Sequence, residues 1–451
     1  MSASVTRRTA LRRFGAAGAG LALSAESHAR LVGMFGSQTT PITIAGQPVE
    51  IRVASIGRST VRISVVPLTN AALGELAGGG ALVAAAAGQS VAQRRDVFAD
   101  VAAGDLRVRF TVHPPTLHVE TQKGVAIQRL SLDATAPHIR FALGKGPLLG
   151  FGEGGPQFDR KGAIYTNRNG QGGYQLRTHG GRVPIQWLVS SDGWGLYIHR
   201  PLGAFDLTGG DGELTPADRA LPLDVFVTAS SDPKTIMREY ARITGFAELP
   251  ALWAFGYMQS HRTLAGPEEI DWVARTFREK RLPCDALIYL GTEFTPSGWN
   301  TRNGEFGWKV ETFPDPKRFI DQAHAHNYKV VLHIVIEGRR MNGAVGDPCT
   351  PDKAVPSGRT PDDRWPEDRA VPCYWPYHKP LFDLGVDGWW PDQGDGLDEP
   401  SRLARIRMSG KARSSIDPTN GRLRFIATGR PACSATARSC GRAMFTRPGR
   451  H

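Results

Sequence analysis

The run Lys329-Val330-Val331-Leu332-His333-Ile334-Val335-Ile336 constrains this chain more than any other stretch, because it is apolar at successive rather than alternate positions. Such a strand must be buried on both faces, the condition of a strand inside a parallel sheet. Its surroundings repeat the arrangement. Trp253 to Met258 and Asp285 to Leu290 predict two earlier strands, Pro267 to Lys280 and Pro316 to Asn327 predict the helices between them, and Val386 to Trp390 predicts a fourth strand. Strands alternating with helices give a parallel sheet or barrel; eight units close a barrel, and four are visible here.

Before Pro250 the rhythm is different. Ile42 to Ile44, Val49 to Val53, Ser59 to Val65, Leu106 to Val112 and Leu117 to Thr121 alternate apolar with polar residues between turn signals, which predicts an antiparallel sandwich. Pro184 to Ser190 and Gly193 to His199 predict a hairpin, Leu223 to Thr228 a further strand, and Gly78 to Gly88 a loop or short helix. The expected architecture is multidomain: an N-terminal antiparallel β-sandwich over 30–248, followed by the first half of a (β/α)8 TIM barrel over 249–408.

The formal charge of +12 suggests an anionic partner only if it is spread over a folded face. It is confined to the ends. Residues 1–30 hold five Arg against one Glu, residues 409–451 hold nine Lys or Arg against one Asp, and the 378 residues between carry 41 of each sign. No nucleic-acid partner is therefore expected. Arg7-Arg8, the Gly/Ala-rich apolar run Phe14 to Ala25 and the small residues around His28 resemble a twin-arginine export signal over 1–29, which predicts a periplasmic or secreted protein. That run is too short to span a bilayer, so no stable membrane insertion is expected. The five cysteines show no metal-ligand spacing; Cys349 and Cys373 bracket a Pro/Asp/Arg-rich loop where a disulfide is compatible with export, and Cys284 is expected in the core.

The chemistry-bearing stretch is Gly385-Val386-Asp387-Gly388-Trp389-Trp390-Pro391-Asp392-Gln393-Gly394-Asp395. Barrel enzymes place their active sites at the C-terminal ends of the strands, so Asp392, just past such a strand, reads as a nucleophile or general base. An Asp/Gly-rich surface turn is the alternative. Glu293, Trp299 and His333 are candidate pocket residues, since planar and polar groups at strand ends suit a hydroxyl-rimmed ring, although a His inside an apolar strand is more often a satisfied core residue. Trp390 and Asp395 complete the candidate substrate-binding set.

Four stretches occur in the order in which glycoside hydrolase family 31 carries them. They are Gly150-Phe151-Gly152-Glu153, Trp253 to Ser260, Phe313-Pro314-Asp315-Pro316 and Asp387 to Asp395, and together they resemble that family across roughly 41–408. The resemblance implies a retaining α-glycosidase, α-glucosidase-like, working without a cofactor on an oligosaccharide or glycoside, with Asp392 in the position of the nucleophile. The chain departs from the family in two places: Gln393-Gly394-Asp395 stands where Met-Asn-Glu is usual, and Gly291-Thr292-Glu293 replaces an Asp-x-Asp pattern.

A retaining mechanism needs a second carboxyl, which the family carries in a Trp-Ser/Thr-Gly-Asp motif absent from this sequence. Beyond Met408 the periodicity is lost to Arg, Ser, Gly and Ala. If each codon is read as the last base of one residue and the first two of the next, Ser409 to Arg413 permits Trp-Glu-Gly-Pro, and Cys440 to Phe445 permits Trp-Ser-Gly-Asp-Val, its Val forced by Met444-Phe445. The expectation is therefore that 409–451 is an out-of-frame tail, that the missing Asp falls across the codons of Ala443 and Met444, and that the chain as written is close to inactive. A genuine basic tail is the alternative for that segment, and a non-catalytic carbohydrate-binding protein on the same scaffold is the alternative for function. A metal-dependent hydrolase is disfavoured by the lack of clustered His.

Overall fold

A computed structural model of the chain describes residues 41–68, 81–154, 157–166, 184–199, 203–216, 221, 223–247, 249–261, 264–289, 298–299, 306–334 and 378–391. Residues 1–29, where an export signal is expected, Glu293, Asp392, Asp395, Cys349, Cys373 and residues 409–451 lie outside the described residues.

Among the described residues, sixteen strands make up the first part of the chain. They are β1 (Thr43–Ile44), β2 (Gln47–Ser55), β3 (Thr60–Pro67), β4 (Gln89–Arg94), β5 (Phe98–Ala103), β6 (Leu106–Val112), β7 (Pro115–Thr121) and β8 (Ala126–Leu132). There follow β9 (Ile139–Ala142), β10 (Leu148–Gly150), β11 (Ile164–Thr166), β12 (Trp187–Ser190), β13 (Trp194–Ile198), β14 (Gly203–Asp206), β15 (Asp211–Pro216) and β16 (Leu223–Ala229). One antiparallel sheet runs β1-β2-β3-β16-β13-β12-β10, with β4 also on β2; the other runs β11-β14-β15-β9-β8-β7-β6-β5.

Both sheets contribute to one apolar core. Ile51, Ile63, Val225 and Leu196 from the first meet Val108, Phe110, Leu130, Phe141 and Phe205 from the second. Alternation accounts for this: in β6, Leu106, Val108 and Phe110 are buried while Arg107 and Arg109 turn outward to pair with Glu120 at 2.8 and 3.2 Å. The expected hairpin is β12–β13, with Ser190 opposite Trp194. The expected short helix is a 3-10 turn over Ala84–Ala87.

Helix α1 (Pro233–Thr244) was not evident from strand-type periodicity. Its signal is local: Asp232 accepts bonds from the Lys234 and Thr235 amides, Pro233 follows in the first turn, and Ile236, Tyr240 and Ile243 recur on one face. That face packs on Trp187, Tyr197 and Phe226, which the strands present on the side of the sheet away from the main core.

In the second part of the chain the described residues form a four-stranded parallel sheet in sequence order, β17 (Met258–His261), β18 (Ala286–Tyr289), β19 (Lys329–Ile334) and β20 (Gly388–Pro391). Helices α2 (Pro267–Glu279) and α3 (Pro316–Ala325) connect the first three strands, and 378–384 is helical before β20. Five of the six residues of β19 are buried, as its uninterrupted apolar run requires. The first strand differs from expectation. Trp253 to Phe255 belong to a 3-10 turn over Leu252–Phe255, in which the Ala254 amide bonds the Ala251 carbonyl and the Gly256 amide bonds that of Trp253. Those local bonds satisfy the backbone there, and the strand begins only at Met258, opposite Ala286.

Candidate active site

All four parallel strands point the same way, so one end of the sheet collects their C-terminal residues, and the candidate site lies at that end. Tyr289 closes β18, His333 and Ile334 close β19, and Trp390 and Pro391 close β20. Asp392 is the first residue past β20 and Glu293 the fourth past β18, both outside the described residues, as is Asp395.

An aromatic wall occupies the described part of this end. His333 stands opposite Trp390 in register, and their rings meet edge-on at 5.0 Å. Trp299 is fully buried, and its indole N–H donates to the His333 carbonyl at 2.8 Å. Trp299 and Trp308 form an isolated antiparallel bridge with ring centroids 4.8 Å apart, and Trp308 packs in turn on Phe313 at 4.8 Å. His378, buried, sits perpendicular to Trp389 at 4.8 Å and against Phe306 at 4.9 Å.

The sequence-predicted pocket residues thus separate by depth. Trp299 and His333 are both 0% exposed, and Trp299 spends its one donor on the protein backbone, so they form the layer beneath the surface of the site. Trp390 is partly exposed. Sequence reasoning missed His378 and Trp389, which stand at this end of the sheet, and Trp308, which packs on Trp299 and Phe313. A Trp at each end of an Asn/Gly-containing sequence, Trp299 and Trp308, is the signal that could have revealed the bridge.

The opposite end of the sheet is held by charge. Asp387, which enters β20, accepts bonds from His324 Nε2 at 2.6 Å, Lys329 Nζ at 2.9 Å and the Val330 amide at 3.1 Å. Burial pushes its pKa up, but the bonds from His324, Lys329 and the Val330 amide outweigh that and hold the carboxyl below the usual carboxylate range. The arrangement ties α3, β19 and β20 together where no barrel chemistry is expected, so Asp387 is a structural carboxylate and Asp392 remains the candidate reactive one. Cys284 is buried, and burial raises its thiol, as a core cysteine requires. No group of three or more His, Cys, Asp or Glu able to hold a metal occurs among the described residues.

The family profile of the Glycosyl hydrolases family 31 TIM-barrel domain matches residues 247–415. Residues 247–415 belong to glycoside hydrolase family 31. The family 31 match takes in all four parallel strands and ends seven residues beyond Met408. An alpha-xylosidase of Saccharolobus solfataricus is 26% identical over 221 residues, which are 48% of this chain and 29% of that protein. Alpha-glucosidase 2 of Bacillus thermoamyloliquefaciens is 32% identical over 109 residues, 24% of this chain and 13% of that one.

Among solved structures, a family 31 dextranase of Flavobacterium johnsoniae complexed with isomaltotriose superposes with a TM-score of 0.68 at 16% identity, over 84% of this chain and 52% of that one. A family 31 alpha-xylosidase from a soil metagenome, complexed with xylose, gives 0.62 at 16% identity, over 86% and 64%. These likenesses show a shared fold that takes in the antiparallel sheets as well as the parallel one. The chain spans less than a third of the length of the two curated relatives named and no more than 64% of the two solved chains.

Proposed function

We propose that this protein is a retaining α-glycosidase that releases a terminal sugar from an oligosaccharide or glycoside, with Asp392 as nucleophile. One observation carries the reading: Asp392 is the first residue past the C-terminal end of β20, inside a family 31 barrel domain. In this reading β17 to β20 are strands one to four of the eight-stranded barrel. Asp392 attacks the anomeric carbon to give a covalent glycosyl-enzyme, while a second carboxyl about 5 Å away protonates the leaving oxygen and later activates water. Trp390, Glu293 and Asp395 face the sugar, with His333 and Trp299 supporting them from below. In the frame-restored protein the Asp written across the codons of Ala443 and Met444 supplies the second carboxyl; the 451-residue chain lacks it and is close to inactive as a hydrolase, and the Arg7-Arg8 leader delivers the protein folded across the membrane.

The test is covalent trapping. A 5-fluoro-α-glycosyl fluoride loses fluoride without needing protonation, so the 451-residue chain and a frame-restored version should both gain one sugar on Asp392, and Asp392→Ala should gain none. Hydrolysis of ordinary glycosides should separate the two versions by about 10²- to 10⁴-fold, the worth of general-acid catalysis. Tight sugar binding by the frame-restored protein without an adduct would establish the carbohydrate-binding role instead. Resequencing the gene around codon 408 tests the frame: a confirmed, uninterrupted frame through His451 removes that part of the reading.

A further inference from the structure

Trp299 does more than fill space. It is fully buried, yet it places its only polar atom on the His333 carbonyl, the next-to-last residue of β19. The bond joins two elements that share no ladder at this point. On one side is the bridged segment around Trp299 and Trp308, closed by the Lys309 amide on the Gly298 carbonyl at 2.7 Å. On the other is the C-terminal end of β19, whose His333 is the register partner of Trp390 and lies edge-on to its ring. Trp390 is two residues before Asp392.

We propose that Trp299 is a positioning residue for Asp392: its indole N–H pins the end of β19, and β19, through His333 and Trp390, sets where β20 delivers its carboxylate. The inference rests on Asp392 being the nucleophile. A misplacement of about 1 Å transmitted from outside the reacting groups is enough to cost about 100-fold in rate. Trp308 supplies the internal comparison. It packs against Trp299 at 4.8 Å, but its own buried indole N–H has no hydrogen-bond partner, so replacing it loses packing and no bond.

The experiment follows labelling of the 451-residue chain by intact mass, with 5-fluoro-α-D-xylosyl fluoride and 5-fluoro-α-D-glucosyl fluoride, in wild type, Trp299→Phe and Trp308→Phe. In each labelling event the C1–F bond breaks, fluoride departs with the electron pair, and an Asp392 carboxylate oxygen bonds to C1. Trp299→Phe should label about 10- to 100-fold more slowly at saturation, with the half-saturating concentration unchanged, because the reacting geometry and not the binding of the probe is disturbed. Trp308→Phe should lower Tm at least as much and label within about threefold of wild type. Equal rates in Trp299→Phe and wild type, or an equal loss in Trp308→Phe, overturn the positioning role alone. A wild-type chain that neither fluoride labels overturns the nucleophile assignment, and the positioning role falls with it.

Discussion

The two halves of the described structure solve the same problem, covering a sheet, with different reach. In the antiparallel part most pairings join near neighbours in sequence: β5 to β6, β6 to β7, β7 to β8 and β8 to β9 are successive hairpins, and each face can be read from alternation over a few residues. In the parallel part each pairing waits for a crossover helix, and β17 and β20 each have one strand neighbour among the described residues. Large apolar side chains stand exposed on the approach to β17, with Leu249 at 75% and Leu252 at 88%, and Phe246, Phe255 and Tyr257 beside them in sequence. Exposed apolar side chains next to a strand with an unpaired edge among the described residues are where pairing with further structure, or aggregation, is expected.

The largest consequence is a difference in local stability. Amide hydrogen exchange on the 451-residue chain should show β2, β3, β13 and β16 protected at least about 100-fold more than β17 and β20, a gap on the order of 3 kcal/mol, because edge strands open without unfolding the rest. Equal protection across the two sheets would mean that the parallel sheet has neighbours beyond the described strands. A second effect of similar size tests how tightly the antiparallel part is built. Gly150 has φ +118°, and a Cβ there would lie 2.1 Å from the Trp187 carbonyl oxygen. Gly150→Ala should cost about 3 kcal/mol in denaturant unfolding, since both the backbone conformation and the β10–β12 contact oppose a side chain.

Much of this contrast was legible in the sequence, for physical reasons that differ by region. Alternation in Leu106 to Val112 located β6 to the residue, because burial of one face is a local demand. The uninterrupted run at Lys329 located β19 for the complementary reason. The start of β17 was not legible: Trp253 and Phe255 have strand-forming side chains, but the chain satisfies its backbone in a 3-10 turn and leaves Phe255 mostly exposed. Helix α1 escaped because its evidence is a cap and a four-residue spacing inside a β-rich text. In the site, the apolar run around His333 already favoured a buried histidine, whereas the depth of Trp299 was not legible, since an indole suits a sugar face and a buried carbonyl equally well.

Asp387 ties the parallel sheet's weaker architecture to pH. Its folded pKa is depressed, so the stability it contributes is complete above its unfolded value and is lost as pH falls through the folded value, below the ordinary 3.8. Asp387→Asn should cost about 2 kcal/mol at pH 7, the usual worth of hydrogen bonds to a charged group. The difference between variant and wild type should begin to shrink as pH drops below about 4, where the carboxyl of the unfolded chain takes up its proton, and should vanish as the folded carboxyl follows at lower pH. A difference that stays constant down to pH 2.5 would assign the loss to packing rather than to the charge.

The smallest predicted effects discriminate most sharply between the two regions. Helix α1, on the antiparallel part, begins at Asp232, which accepts from the Lys234 amide at 3.1 Å; helix α3, in the parallel part, begins at Asp315, which accepts from the Arg318 amide at 2.9 Å. The chemistry is the same, so Asp232→Ala and Asp315→Ala should each cost about 1 kcal/mol locally. They should differ in which transition moves. If the parallel sheet opens before the antiparallel core, Asp315→Ala lowers only the earlier transition, read by fluorescence of the Trp299 and Trp308 cluster, and Asp232→Ala lowers only the later one, read by the Trp187 environment beside α1. If both substitutions shift a single transition equally, the two sheets unfold as one cooperative unit, and the contrast drawn from their edges describes construction without independence.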